Sequence, residues 1–390
     1  MSDFGRVLRE LRTQRGWTQA DLAQRAHVGQ PALSKYESGR NQPSPEVVDV
    51  LADVLGDQLR IAATTLPAPG GGAADELAAI ELARRVEASD VGSATLVQLE
   101  EGFDRMAIAY PSAAPVELLP HVTGYLGYVS DLLDGPNLSL SVHRRLVAAG
   151  AWCSLLAATL HIDVGQNTAA TARLDTAASL AREVGHEEVR AWVAETEAWR
   201  QLTAGNLHRA HDLTKSARAI APAGSSIEVQ AAAQQGRVLA RLGDAEGTYR
   251  AVEAVNSLAA DLPVLDADER EHHYRYDGTK RNAYTATTLS WLGDPAGAGH
   301  AENVIEQLRP QAGKPGRWPR RLASAYLDLA LVQVKTGDVS AAAEAALTAM
   351  RTGSVVPSNH WRAAEVVRAV TGRGMPQARE LREAYRNMTS

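Results

Sequence analysis

Five glycines constrain this chain more than any other feature. Gly165, Gly205, Gly243, Gly293 and Gly337 are each followed by a polar residue, and they recur at spacings of 40, 38, 50 and 44 residues. Around them the sequence is rich in alanine and leucine, with almost no strand pattern from about residue 76 onward. A period of this size is the mark of stacked helical hairpins, in which each unit buries its apolar face against its neighbours. Glycine followed by Asp, Asn or Gln suits the tight turn between two helices, where a positive φ or a cap is needed. Small residues at matching offsets (Ala170 and Ala177, Ala210 and Ala217, Ala342 and Ala349) let neighbouring helices approach closely. Pro222 and Pro310 close some units, because a helix cannot continue through proline. The expectation is an all-α chain whose larger part is an α-solenoid.

The amino-terminal end is organised differently. Phe4, Val7, Leu8 and Leu11 recur at helical spacing, and Gly16 is a stop signal. Thr18 is a good N-cap with Asp21 three residues on, an acidic variant of the capping box, so a second short helix runs from about Gln19 to Ala26. A third runs from about Gln30 to Glu37 and is broken by "SGRNQPSP". A fourth carries Val47, Val48, Leu51 and Leu55 and ends at Gly56. The Pro- and Gly-rich stretch that follows lacks periodicity. The expected boundaries are a DNA-binding domain at 1–62, a flexible linker at 63–76 and a helical-repeat domain at 77–390. Gly70, Gly71 and Gly72 read as linker rather than phosphate loop, since no Lys-Ser/Thr pair follows.

Charge divides along the same line. The whole chain carries −6, which alone argues against a nucleic-acid partner, but residues 1–45 carry +3 and leave −9 to the rest. A small basic end on an acidic body suits a DNA-contacting module joined to something that does not touch DNA. The single cysteine, Cys153, permits neither an intrachain disulfide nor a cysteine metal cluster. No signal peptide and no stretch of about 18 apolar residues stands out, so the expected location is the cytoplasm, with no membrane partner.

The residues "WTQADLAQRAHVGQPALSKYESGRNQPSPEVVDVLADVLG" resemble the phage-repressor-like helix-turn-helix family, also called XRE. The match rests on "TQxxLAxxA", Val28 in the turn, Leu33 in the third helix, "YExG" and the following apolar helix. Two positions depart from the pattern. His27 stands where the turn usually has glycine, and Gly29 stands where the third helix usually has a Ser or Thr cap. Histidine is enriched among non-glycine left-handed residues, and glycine is a permitted cap. Residues from about 140 to 355 resemble tetratricopeptide repeats, with Gly205, Ala210, Ala217 and Pro222 at the family's turn, packing and closing positions. Together the halves resemble bacterial regulators that join this DNA-binding module to a tetratricopeptide sensor, as in Gram-positive receptors for signalling peptides and actinobacterial developmental regulators. The 35 arginines against five lysines lean toward a GC-rich genome and the second group.

The DNA chemistry expected of the third helix is specific. A recognition helix places its N-terminal turn against base edges in the major groove. Gln30 is the best-placed reader, able to bond adenine bidentately, and Lys35 one turn later reaches guanine or a phosphate. Pro31 and Ala32 offer apolar contact to a thymine methyl. Gln19 resembles the family glutamine that contacts phosphate and buttresses the reader. Ser34, Ser38, Arg40 and Asn41 are expected phosphate partners, which set register without reading sequence. Arg6, Arg9, Arg12 and Arg15 are expected on a solvated face. Pro31 is tolerated because it falls in the first helical turn, where N–H groups lack intrahelical partners. The resemblance implies a homodimer on half-sites about one helical turn apart.

Solenoids bind on the concave face, lined by each unit's first helix. Registering the units on their glycines puts Trp152, Thr159, Trp192, Glu195, Trp199, Gln230, Gln234, Arg237, Lys280 and Tyr284 on that face. Aromatics mixed with amides and charges suit a signalling peptide or an amphipathic small molecule. "EREHHYRYDGTKR" is the densest polar-aromatic run, but adjacent histidines on a helix point about 100° apart and ligate a metal poorly together. No nucleophile elbow, Walker motif, dinucleotide fingerprint or HExxH pair is present, so no enzyme, cofactor or metal is expected. The expected function is a sequence-specific, dimeric DNA-binding transcriptional regulator with an effector-sensing body. The alternative is a tetratricopeptide adaptor whose DNA binding is secondary.

Overall fold

The turn between the second and third helices settles how the first unit folds. In this computed structural model, His27 sits at φ 52°, the one non-glycine residue with positive φ among the described residues. The structure describes residues 3–39, 41, 43–56, 59, 71–86, 91–135, 138–260, 262, 272–309 and 319–389. They form helices and no strand, in two compact units, Met1–Ala74 and Asp75–Ser390.

The first unit holds α1 (Asp3–Gln14), α2 (Gln19–Arg25), α3 (Gln30–Ser38) and α4 (Pro45–Leu55). The capping box starts α2: Thr18 Oγ1 accepts from the Asp21 N–H at 3.2 Å, and the Thr18 N–H donates to Asp21 Oδ2 at 2.8 Å. The Thr18 hydroxyl also donates to Asp21 Oδ2 at 2.7 Å, and that bond, with the one from the Thr18 N–H, holds the exposed Asp21 carboxyl below its ordinary range. Gly29 caps α3 in an extended conformation, and Pro31 lies in its first turn, where no bond is lost. Gly39 ends it left-handed at φ 73°. Phe4, Leu8, Leu22, Leu33, Leu51, Leu55 and Leu59 meet in one core. Gly5 lets α1 cross the end of α3, because a Cβ there would stand 2.6 Å from the Tyr36 carbonyl oxygen.

The second unit is a run of helices ordered as antiparallel neighbours. It comprises α5 (Gly71–Val86), α6 (Ser93–Ala109), α7 (Pro115–Leu133), α8 (Leu140–Asp163), α9 (Asn167–Glu183), α10 (Glu187–Thr203), α11 (Leu207–Ile220), α12 (Ser226–Leu242) and α13 (Ala245–Ala260). It continues with α14 (Gly278–Leu292), α15 (Ala296–Leu308), α16 (Pro319–Thr336), α17 (Val339–Arg351), a short turn at Pro357–Asn359, α18 (His360–Gly372) and α19 (Ala378–Thr389). Residues 71–76, read from the sequence as the linker's end, are helical; residues 63–70 lie outside the described residues. All five marker glycines have positive φ, between 75° and 95°, each in the turn between the helices of a pair. Ala170, Ala177, Ala210, Ala217, Ala342 and Ala349 are fully buried.

One expectation is corrected. The chain does contain a helix long and apolar enough to cross a membrane, α8, but 83% of its apolar stretch is buried inside the body, where it serves as the core helix. The 50-residue interval after Gly243 holds a segment between α13 and α14, whose described residues 272–277 lie as a strap across the repeat helices. The His273 N–H donates to the Ala107 carbonyl at 3.1 Å, and the Tyr276 N–H to Ser226 Oγ at 3.0 Å. Tyr274 packs its ring among Phe103, Trp152 and Trp192, with centroids 5.1–5.8 Å apart.

Candidate functional site

Gln30, Pro31, Lys35, Ser38 and Asn41 are exposed, while Ala32, Ser34 and Gln19 are half-buried. Arg40 lies outside the described residues. Leu33 and Glu37, one turn apart, point the other way into the unit. Ser38 Oγ donates to the Lys35 carbonyl at 3.1 Å, and the Asn41 N–H to the same carbonyl at 3.3 Å, which shapes the end of the helix.

A hydrogen-bonded chain runs from inside the unit to Gln30. Arg12 clasps Glu37 through Nε at 2.5 Å and Nη2 at 3.1 Å, and its Nη1 donates to the Trp17 carbonyl at 2.6 Å. Gln19 Nε2 donates to the second Glu37 oxygen at 2.8 Å, and Gln19 Oε1 accepts from Gln30 Nε2 at 3.5 Å. Burial pushes the Glu37 carboxyl up, but the bonds from Arg12 and Gln19 outweigh it and hold it below its ordinary range. Arg12 is thus buried, not on a solvated face. Glu37, the acid of the "YExG" match, joins the site although it is not among the residues expected to contact DNA. The sequence does carry a signal for it: an acid four residues after Leu33, on the core-facing side of a short helix, requires a buried partner. Arg15 and Arg25 lie over the Trp17 ring at 5.7 and 4.5 Å.

In the helical body, a cavity of about 190 Å³ opens among α8, α10, α12, α14, α16 and α18, with His273 of the strap at its edge. Of the residues placed on the concave face from sequence, Thr159, Glu195, Trp199, Gln230, Arg237, Lys280 and Tyr284 line it. Trp152, Trp192 and Gln234 do not. Trp152 lines a separate hollow with Phe103, His186 and Tyr274, Trp192 is buried beneath Tyr274, and Gln234 is fully buried. The strap fills the groove at the two tryptophans, which periodicity alone does not reveal.

The cavity wall is ionic. Arg320 Nη1 meets Asp163 Oδ2 at 3.0 Å, and Asp163 also accepts from Tyr110 and Ser358. Arg362 contacts Asp328, which accepts from Thr287 at 2.6 Å. Arg237 stands 3.7 Å from Glu195, and Gln230 Nε2 donates to the same carboxylate at 2.8 Å. Burial raises the Glu195 carboxyl, against the opposing pull of Arg237 and Gln230. Lys280 Nζ donates to the carbonyls of His273 and Arg275 at 2.7 and 2.8 Å. His272 and His273 diverge, the first toward Asp104 and the second against Tyr110.

Comparison with known proteins bears on the first unit. Residues 3–59 match the helix-turn-helix domain family. The competence pilus inhibition repressor of Acinetobacter baylyi is 40% identical over 50 residues, 13% of this chain and 46% of that protein, so the chain spans about half the length of the curated relative it matches. The crystal structure of Bacillus thuringiensis PlcR in complex with the peptide PapR7 and DNA aligns over 67% of this chain and 95% of that one, at 14% identity and a TM-score of 0.28. The chain therefore begins with a helix-turn-helix domain, and an all-helical body of repeated hairpins follows it in sequence.

Proposed function

We propose that the protein is a sequence-specific DNA-binding transcriptional regulator, acting in the cytoplasm as a homodimer, whose helical body senses an effector. The observation that carries this reading is the bonded chain from Arg12 through Glu37 and Gln19 to Gln30. It holds an exposed amide at the start of α3, where a recognition helix meets base edges. Gln30 and Lys35 read bases, Pro31 and Ala32 meet thymine methyls, and Gln19, Ser34, Ser38, Arg40 and Asn41 hold phosphates. One module of four short helices offers few contacts, which is the reason for assigning two copies per operator.

The body's part is binding rather than catalysis, since each carboxylate in the cavity is engaged by an arginine. Effector and operator then affect each other's affinity by the same factor. Selection of bound sequences from random DNA, with and without cell extract, tests the reading. A recurrent two-fold-symmetric sequence is expected, with a salt dependence of about −0.9 per phosphate neutralised. No enrichment over random sequence sinks the reading and leaves the adaptor alternative.

A further inference from the structure

We propose that the cavity of the helical body binds a small organic anion, a carboxylate or phosphate ester, with Arg237 as its anchor. This rests on the reading that the body senses an effector, and it names that effector's chemistry.

The charges around the cavity do not balance. Arg320 is closed by Asp163, Arg362 by Asp328, and Arg321 faces Asp277 at 3.6 Å. Arg237 and Lys280 are left to share Glu195, and all three are at least 94% buried. Among the described residues, Lys280 has only carbonyl oxygens as acceptors. A buried cation without a full counter-charge is costly, and an anion from outside removes that cost.

Arg237 is held for such a partner. Its guanidinium lies over the rings of Tyr284 and Trp199, at 4.2 and 5.4 Å from their centroids. It donates no hydrogen bond among the described residues, and its buried Nε has no partner. Aromatic faces therefore fix the group while its planar fork makes only the 3.7 Å ion pair to Glu195 among the described residues, and such a fork grips carboxylate or phosphate. Beside it, Gln230 directs its amide nitrogen at Glu195, which turns Oε1 away as a buried acceptor without a donor. A hydroxyl or N–H on the ligand, where it has one, finds an acceptor there.

Size narrows the class. A cavity of about 190 Å³ falls below the roughly 300 Å³ at which drug-sized pockets begin. Tyr274 packs against Trp152 and Trp192 nearby, and a second hollow remains beside Trp152. A single small molecule fits a cavity of this size.

The test is calorimetric titration of the full-length protein with para-hydroxybenzoate, phenyl phosphate, neutral para-hydroxybenzamide and benzylammonium, at constant ionic strength. Saturable binding of one or both anions is expected, without binding of the amide or the cation, and the preferred anion distinguishes carboxylate from phosphate. Arg237→Gln should weaken the preferred anion by about tenfold or more, the usual worth of a hydrogen bond to a charged group. Arg237→Lys keeps the charge without the fork and should fall between, and melting curves of both variants show that each is folded. Failure of both anions to bind, equal binding of acid and amide, or unchanged affinity in Arg237→Gln overturns the proposal. If anions bind but operator affinity does not respond, the ligand assignment stands and the effector role falls. If cell extract shifts operator affinity while no anion binds, the reverse holds.

Discussion

The Arg12 guanidinium and the Glu37 carboxylate form a two-pronged pair inside the first unit, with side-chain exposures of 10% and 4%. The pair joins α1 to the recognition helix and serves as the anchor on which Gln19 and Gln30 are hung. Replacing Glu37 by alanine strands a buried guanidinium and should cost this unit about 3–5 kcal/mol. Hydrogen exchange of the amides in residues 3–55, followed in the full chain, reads that loss directly. The pair has a pH signature as well. The folded Glu37 carboxyl is held below its ordinary value of 4.5, so its contribution is present above that value and is lost as pH falls through the folded one. Unchanged exchange rates in Glu37→Ala would show that the pair anchors nothing.

His27 holds a left-handed turn at φ 52° with an exposed side chain. A left-handed conformation costs an L-residue about 1–2 kcal/mol relative to glycine. His27→Gly should therefore raise the stability of the first unit by about 1 kcal/mol, less a few tenths for the added chain freedom of glycine. The exchange measurement that reports Glu37→Ala decides it. A destabilised glycine variant would mean the imidazole makes a contact worth more than the strain.

Much of this architecture is legible in the sequence because it is local. Thr18 with Asp21, Gly29 before Pro31, and Gly39 after Ser38 each fix a helix end within a few residues, and the helices stand where those signals put them. Positive φ at Gly165 and Gly205 and full burial of Ala170 and Ala210 follow from the same short-range rules. The strap is not legible. Periodicity says which face of a helix turns inward but not what a 50-residue interval lays over it, so it puts Trp152 and Trp192 on an open groove that Tyr274 in fact fills. The Arg12–Glu37 pair joins residues 25 apart in sequence, and its only local trace is an acid at a core-facing position.

Gln30 and Gln19 should separate by mechanism. Gln30→Ala removes a base contact and should cost about 1–3 kcal/mol of discrimination at one base pair. Gln19→Ala leaves the reader in place but unbraced, so the same base pair should lose part of its preference while the others keep theirs. Lys35→Ala should lower affinity for every sequence and reduce the salt slope by about one phosphate if it binds the backbone. Competition binding against single-base operator variants reads all three. A uniform loss across variants in Gln30→Ala would remove it as the reader.

The strap makes the body acid-sensitive, and the direction follows from His272. Burial, with Arg275 beside it, lowers this imidazole from its ordinary 6.5 to about 4, despite Asp104 at 3.2 Å. His273, His272's neighbour, is pushed down too, by burial and by Lys280. A base whose folded pKa is depressed is neutral in the native state, so protonation favours unfolding. Its contribution is whole above pH 6.5 and declines as pH falls from 6.5 to about 4. For His272 the full loss is about 3 kcal/mol, because each tenfold drop in proton affinity on folding is worth about 1.4 kcal/mol. Buried carboxyls such as Glu195, raised by burial, act in the opposite sense, so the informative quantity is the difference between two proteins. His272→Gln keeps a polar side chain beside Asp104 and removes the titration. Urea unfolding of the body should show the variant gaining on the parent as pH drops from 6.5 to 4, with the gap closing above 7. Parallel pH profiles for the two proteins would mean that the imidazole is solvated, and that the strap stands open in solution.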